Sequence, residues 1–494
     1  MPSLREAQIR HATYYGMVLL GTRQLYEEGG DSLELAVAIF DIEWKNIRFA
    51  QALIADQADS NEDAADLCSA YPVVGFPLLD LRQHPREQME WREAGLKVAK
   101  RLNKRYEEAG HLMGIGNAKN DIGNVADARE LHNRALTIFQ EIGAKREEGQ
   151  ALNNLGNTYM LMDEPRSAIG YYERDLAITR EIANRRGESK ALGNLGGAYR
   201  ALGELQLAIS LLEEALQIAE ELGDYLEMGI CHNNLGLAYF DLGEVRLALR
   251  VFERALAIDR YFGNKAGESK ALLNVGNAYL SLGEIRRALE TYEQCLTIAQ
   301  EMADPTIELD ALSNIGNAYI KLGDMRRASD TFVNTRKRAK AIGNRYAEAM
   351  AMGSLANVYI EVGLTHQHLE LYGQALPIWR ELGARLEEAM GLANMGAGYC
   401  KLDEPGRGLE LFKQALEALR EIGDQRTEAT VLYNIGLIFY RRGERDRARE
   451  SVKAALAILD DLEDPLAAEI RSQFGSDVWF LAGLLAEKKQ GSDG

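Results

Sequence analysis

Apolar residues in this chain recur on two scales. Locally they fall three or four residues apart, as in Leu152, Leu155 and Tyr159 or in Ala208, Leu212 and Leu216. That is the spacing of a helix with one buried stripe. Over a longer range the pattern returns every 40 residues. ALNNLGNTY begins at Ala151, ALGNLGGAY at Ala191, CHNNLGLAY at Cys231 and ALLNVGNAY at Ala271. ALSNIGNAY follows at Ala311, AMGSLANVY at Ala351, GLANMGAGY at Gly391 and VLYNIGLIF at Val431. A weaker copy, HLMGIGNAK, begins at His111, so nine copies cover 111–470 without a gap. A period of this size signals stacked units that cannot bury their apolar faces singly.

Each copy predicts two helices. Helix A carries the quoted motif and ends near a Leu-Gly-Glu turn, as at 202–204 and 282–284. Helix B follows and stops at Gly143, Gly223, Gly263, Gly343, Gly383 or Gly423, where a left-handed cap needs no side chain. Pro165 and Pro405 occupy the first position of helix B, where a missing N–H costs little. Glu148, Glu188, Glu268, Glu308, Glu348, Glu388 and Glu428 stand near the start of helix A, where the helix dipole favours them.

A second glycine column, Gly116, Gly156, Gly196, Gly236, Gly276, Gly316, Gly396 and Gly436, falls inside helix A. Each member costs about 1 kcal/mol relative to alanine, so the column predicts close helix contact as compensation. Ala198, Ala238, Ala278 and Ala318 of helix A, with Ala168, Ala208, Ala248, Ala288 and Ala328 of helix B, fit the same expectation.

The chain divides on this reading into an N-terminal helical region (1–70), a degenerate repeat (71–110), the nine copies (111–470) and a closing helix with a tail (471–494). Pro72, Pro77 and Pro85 are expected to disturb the first helix of the degenerate repeat, and the acidic stretch Asp56–Asp66 reads as a loop. Phe474, Val478, Trp479, Leu481 and Leu485 form one side of the closing helix expected over 471–487.

Composition narrows the function. A net charge of −18 opposes nucleic acid and anionic membranes as general partners. No apolar run is long enough for a membrane span, and MPSLREAQIRHATYY lacks a signal-peptide core. Cys68, Cys231, Cys295 and Cys400 are far apart and read as reduced thiols of a cytoplasmic protein. The sequence has no GxxxxGK[ST], no HExxH and no GxSxG, and His366-x-His368 lacks a third ligand nearby. No catalytic residue, metal or cofactor is expected, and a cryptic hydrolase site is the weakest of the readings.

Leu-x-x-Leu-Gly-x-x-Tyr, then Ala, then an aromatic, then Ala-Leu resembles the tetratricopeptide repeat signature over about three quarters of the chain. The 40-residue form with Asn-Leu-Gly-Asn-Ala-Tyr is similar to the arrays of Pins-type spindle adaptors and kinesin light chains, and to the sensor arrays of bacterial STAND (NB-ARC type) regulators. It departs from the 34-residue form, with helix B expected about two turns longer and the usual terminal proline absent. RHATYY and FDIEWKNIRFAQAL, within 5–54, resemble the helical segment that precedes the repeats in STAND regulators. The resemblance implies an all-α solenoid, a right-handed superhelix of antiparallel helix pairs with helix A on the concave side.

Two columns of helix A are rich in asparagine. One holds Asn154, Asn194, Asn234, Asn274, Asn314, Asn394 and Asn434; the other holds Asn117, Asn157, Asn277, Asn317 and Asn357. Asparagine is a poor helix former, and its amide both donates and accepts. In similar adaptors such residues hold a peptide main chain; the alternative is that they bond the adjacent helix and space the repeats. Met160, Phe240, Leu280, Ile320, Ile360 and Tyr440, one turn on, are candidates for side-chain pockets or for packing. Arg326, Arg327, Arg336, Lys337, Arg338 and Lys340 interrupt the pattern of helix B, and Pro377 falls inside the next one, where a kink is expected. The cations suggest either an anionic-partner site, centred on Arg326, Arg327, Arg336 and Arg338, or a solvated face paired to acidic neighbours. The expected partner is a protein or peptide, with a ligand-sensing module acting beside a separate effector as the alternative. The open ends of such a stack also leave homo-oligomers open.

Overall fold

The computed structural model describes residues 3–28, 31–75, 78–79, 85–462 and 464–474. Among them every regular element is a helix and none is a strand. The helices fall into two units, divided after Glu284.

The first unit opens with a hairpin of α1 (Leu4–Glu28) and α2 (Asp31–Gln57), followed by α3 (Glu62–Val74) and α4 (Pro85–Arg101). Four A–B pairs come next: α5 (Arg105–Asp121) with α6 (Val125–Ile142), α7 (Lys145–Leu161) with α8 (Pro165–Glu181), α9 (Arg185–Ala201) with α10 (Leu205–Leu222), and α11 (Tyr225–Asp241) with α12 (Val245–Tyr261). A further helix A, α13 (Lys265–Ser281), completes it. The second unit begins with a helix B, α14 (Ile285–Glu301). It continues with α15 (Pro305–Leu322) and α16 (Met325–Ala341), α17 (Arg345–Glu361) and α18 (Thr365–Leu382), α19 (Arg385–Lys401) and α20 (Pro405–Ile422), α21 (Gln425–Arg441) and α22 (Arg445–Asp461), and α23 (Leu466–Phe474).

Several expectations are corrected. Both helices of a pair have 17 or 18 residues. The first pair starts at Arg105, upstream of the motif register, because the motif sits in the second turn and beyond. The acidic stretch is mostly helical: α2 runs to Gln57 and α3 starts at Glu62, with Asn61 capping it through its side chain. Pro72 lies within α3, and Pro85 opens α4 rather than breaking a helix. Pro377 lies inside α18, which stays continuous over its 18 residues. Pro77 and the closing helix beyond Phe474 lie outside the described residues.

The helix ends follow local chemistry. Gly143, Gly203, Gly223 and Gly383 take φ of 70°, 79°, 61° and 68°, a conformation glycine enters without Cβ strain. Where the repeat lacks glycine, Asp163, Ala183, Ala303 and Asp403 take it instead, with φ of 58°, 53°, 53° and 61°. Four of the B-to-A junctions also carry a recurring clasp. Arg180 reaches Glu188 at 2.8 Å, Arg260 reaches Glu268 at 2.9 Å, and Arg380 and Arg420 reach Glu388 and Glu428 at 2.6 Å. The glutamates therefore serve both the dipole and an ion pair.

Within each unit, successive helices A pack on one another, whereas no comparable packing joins successive helices B among the described residues. Pairs that approach along A and spread along B make the A side the inner face of each unit. Side chains 41 residues apart bridge neighbouring helices A on it. Tyr106 donates to Glu147 at 3.0 Å, Arg200 meets Asp241 at 2.7 Å, Asn274 donates to Asn233 at 2.8 Å, and Tyr346 donates to Glu387 at 2.6 Å.

Candidate functional site

The inner face is built on the glycine column. Gly156 lies under the ring of Tyr172, and a Cβ on it would stand 2.3 Å from Tyr172 Cε1. Gly236 lies likewise under Phe252, and Gly316 under Phe332. Those rings are almost fully buried. The missing side chain thus lets an aromatic of helix B lie flat on helix A, and the buried ring offsets the cost of a helical glycine.

The neighbouring asparagine column has a structural share. Tyr172 donates its hydroxyl to Asn157 Oδ1 at 2.7 Å, and Tyr372 donates to Asn357 Oδ1 at 2.8 Å. Asn117 Oδ1 stands 3.1 Å from His132 Nε2. Where helix B supplies a hydroxyl or imidazole, asparagine receives it. Asn157 Nδ2 donates in turn to Asn153 Oδ1 at 3.4 Å, and each of these amide oxygens keeps a second lone pair. Asn157 and Asn357 are exposed, as is Asn317, which faces no hydroxyl because Phe332 is packed there.

The other column is freer. Asn154, Asn194, Asn234, Asn314 and Asn434 are half-buried and make no side-chain hydrogen bond among the described residues. Asn274 is bonded to Asn233, and Asn394 Nδ2 donates to the Tyr372 hydroxyl at 2.8 Å. Asn277 is half-buried and also has an interaction partner.

Cavities open on both inner faces. In the second unit a cavity of about 350 Å³ is lined by Ile320, Met325, Asn357, Val358, Ile360, Glu361, His368, Asn394, Ala397 and Lys401. It joins members of both asparagine columns to Ile320 and Ile360, two of the apolar candidates. His368 is buried there, with Nδ1 2.9 Å from the Ala356 carbonyl and Nε2 3.0 Å from that of Asn394. Its ring is thus committed to packing.

In the first unit a cavity of about 190 Å³ lies between the C-terminal turns of α1 and the helices α5, α7, α8 and α9. Asn117, Asn153 and Asn154 line it, with Gln150, Asn184, Asp175, Thr179 and the cations Arg23, Arg146, Arg186 and Lys190. The Arg186 guanidinium donates to the Tyr26 carbonyl at 3.3 Å and pairs with Asp224 at 2.7 Å, tying α1 to the repeats. Burial, reinforced by Asp224, pushes the Tyr26 hydroxyl up to about 12. Asp175 is buried, and burial pushes its carboxyl up to about 7 against the lowering hydrogen bond from Asn153. The periodic reading passed over Asp175 and Arg23: one lies in a helix-B column of small residues, the other outside the repeats. A wider hollow of about 610 Å³ on α6 is formed by that helix alone and cannot enclose a ligand.

The cationic stretch lies on α16 and lines none of these cavities. Arg327 pairs with Asp324 at 2.6 Å and lies over the Tyr319 ring. Arg336 donates to Gln374 at 3.0 Å, and Arg338 pairs with Glu308 at 2.8 Å. Arg326 is exposed. Among the described residues no group of three His, Cys, Asp or Glu could hold a metal ion, and no helix is long and apolar enough to cross a membrane.

No curated protein matches this sequence. Likeness to solved structures is broad. A signal transduction ATPase with numerous domains (STAND) that carries a tetratricopeptide repeat sensor, from Pyrococcus horikoshii, matches 87% of this chain with a TM-score of 0.54 and 14% identity. This chain spans 65% of that protein. A Rap protein complexed with competence and sporulation factor matches 74% of this chain and 99% of its own, with a TM-score of 0.50 and 15% identity. The quorum sensor NprR from B. thuringiensis matches 69% and 99%, with a TM-score of 0.50 and 13% identity. At these identities the likeness is one of fold. The tetratricopeptide repeat pattern itself matches residues 99–181, 187–260, 241–301 and 387–461, which together exceed half of the chain, and the chain therefore belongs to the tetratricopeptide repeat family.

Proposed function

We propose that this protein is a non-enzymatic interaction scaffold whose helix-A faces bind a peptide or protein segment. The observation that carries this reading is the pair of inner-face cavities, one in each unit, both lined by column asparagines. Asn154 in the cavity of the first unit, like Asn194, Asn234 and Asn314 elsewhere on the column, is a half-buried amide without a side-chain bond among the described residues. Such amides suit an extended main chain, which presents both N–H and C=O groups. A Rap protein of similar fold is itself complexed with competence and sporulation factor, which supports the use of such a fold to hold a ligand. The net charge of −18 disfavours nucleic acid and anionic membranes as partners. We assign Arg336 and Arg338 to bonding between helices.

A second reading, a sensor module acting with a separate effector, is supported by the likeness to the STAND protein over 87% of this chain. The test of the leading reading uses peptides selected from a random display library. Asn154, Asn194, Asn234 and Asn314 are changed together to alanine; they have no side-chain bond to lose, so folding is expected to hold. Binding should weaken by at least about tenfold, roughly 1.4 kcal/mol. Undiminished affinity in the folded quadruple variant would sink the proposal.

A further inference from the structure

The α1-roofed cavity differs from the one in the second unit by having a buried carboxyl in its wall, whereas Glu361 of the other is exposed. At the position of Asp175 the other helices B carry Ala135, Ala215, Ala255, Cys295, Thr335, Ala375, Ala415 and Ala455. A small residue thus satisfies the packing, and aspartate is not required for it. Asp175 is 4% exposed, and its side chain has one hydrogen bond, from Asn153 Nδ2 at 3.3 Å. Gly149 on α7 makes its room, since a Cβ there would stand 2.7 Å from Asp175 Oδ1. A carboxyl buried with so little support is a penalty for the empty fold. It becomes an asset when a cation arrives.

The same cavity is lined by Arg23, Arg146, Arg186 and Lys190, in a chain of net charge −18. Arg186 is held by Asp224, Arg23 donates to the Val73 carbonyl at 3.5 Å and Arg146 also has an interaction partner, but a guanidinium carries five donors and can serve a second acceptor. The wall therefore combines a buried acceptor for an ammonium with several cations suited to a carboxylate, and amides between them.

We propose that this cavity is the site of a short zwitterionic peptide with free ends, its ammonium on Asp175 and its carboxylate among Arg23, Arg146 and Lys190. This rests on the peptide-binding reading and names the chemistry of one ligand. The volume of about 190 Å³ suits two or three small residues and not a folded partner.

Tripeptides with free ends, as a defined mixture, are compared with the same mixture acetylated at the N-terminus or amidated at the C-terminus, by equilibrium dialysis on the full chain. The free-ended mixture should bind, and acetylation or Asp175→Asn should each weaken it by about tenfold or more. Arg146→Glu with Lys190→Glu should remove the penalty for amidation. Affinity in the unaltered protein should rise from pH 5.5 to pH 7.5, as Asp175, pushed up to about 7 by burial, gives up its proton. The other charged or titratable groups lining the cavity are Arg23, Arg146, Arg186, Lys190 and Tyr26, which titrates only near 12. The pH series needs no variant, so it stands even if Asp175→Asn fails to fold. Equal binding of the acetylated peptides, or a flat pH series, would overturn the zwitterion site. If longer display-selected peptides still bind and remain sensitive to the quadruple asparagine change, the groove reading survives that failure; if they do not, both readings fall.

Discussion

At the residue scale the unit of construction is a glycine, an aromatic ring and an amide. Gly156 admits the Tyr172 ring, and Asn157, the next residue, accepts its hydroxyl at 2.7 Å. Alanine at 156 is a better helix former by about 1 kcal/mol, yet its Cβ would meet the ring at 2.3 Å. Overpacking of this kind costs about 1–3 kcal/mol. Gly156→Ala should therefore destabilise the protein in urea titration, and a stabilised variant would contradict the close-approach account. Asp175 adds a pH dependence whose sign can be worked out. Burial raises its folded-state carboxyl to about 7, while an unfolded aspartate ionises near 4. Below about 4 both states hold the proton, and the group contributes nothing. As pH rises from about 4 to about 7 only the unfolded chain ionises freely, so stability falls and the loss is complete above 7. Asp175→Asn should thus gain stability over the parent through that window, by at most about 4 kcal/mol. A difference that stays flat from pH 4 to pH 8 would contradict the burial of an unpaired carboxyl.

At the element scale, each helix from α4 to α21 ends on a left-handed residue, and the next begins within four residues. Ala183 and Ala303 adopt that conformation without being glycine, at a cost of roughly 1–2 kcal/mol. Ala183→Gly and Ala303→Gly should each raise stability by about 0.5–1 kcal/mol, measured by thermal or urea unfolding; a loss of stability would show that the cap geometry is misplaced. These elements were largely legible in the sequence, because helix stripes, glycine stops and N1 prolines are local signals. The exceptions have physical reasons. Pro377, expected to kink α18, does not end the helix, and its buried neighbours Tyr372, Ala375, Leu376, Ile378 and Trp379 hold both halves in one core. The sequence left the α16 arginines between an anionic-partner site and a face paired to neighbours, because the partners of two of them, Glu308 and Gln374, lie on other helices more than two turns away in sequence. The asparagine columns were visible, but not their split between amides engaged by Tyr172 or Tyr372 and amides left open. That split depends on which ring faces them across the pair. The α1-roofed cavity had no periodic signal, because it joins a helix outside the repeats to four within them.

At the scale of the whole molecule, stability is spread over neighbouring pairs, because each pair buries its stripes mainly against the next. Unfolding of such an array need not be two-state, so a destabilising change such as Gly156→Ala is expected to act first within the first unit. The same layout assigns separate tasks to the two layers. Helices B carry ion pairs and junction clasps, while helices A carry the amides and the cavities. Hydrogen exchange of the full chain, with and without a peptide selected from a random display library, tests that assignment most directly. The account predicts added protection in helix-A segments such as 145–161, 185–201 and 345–361, with helix-B segments little changed. Protection confined to helices B, or to the outer side of the α1–α2 hairpin, would contradict it.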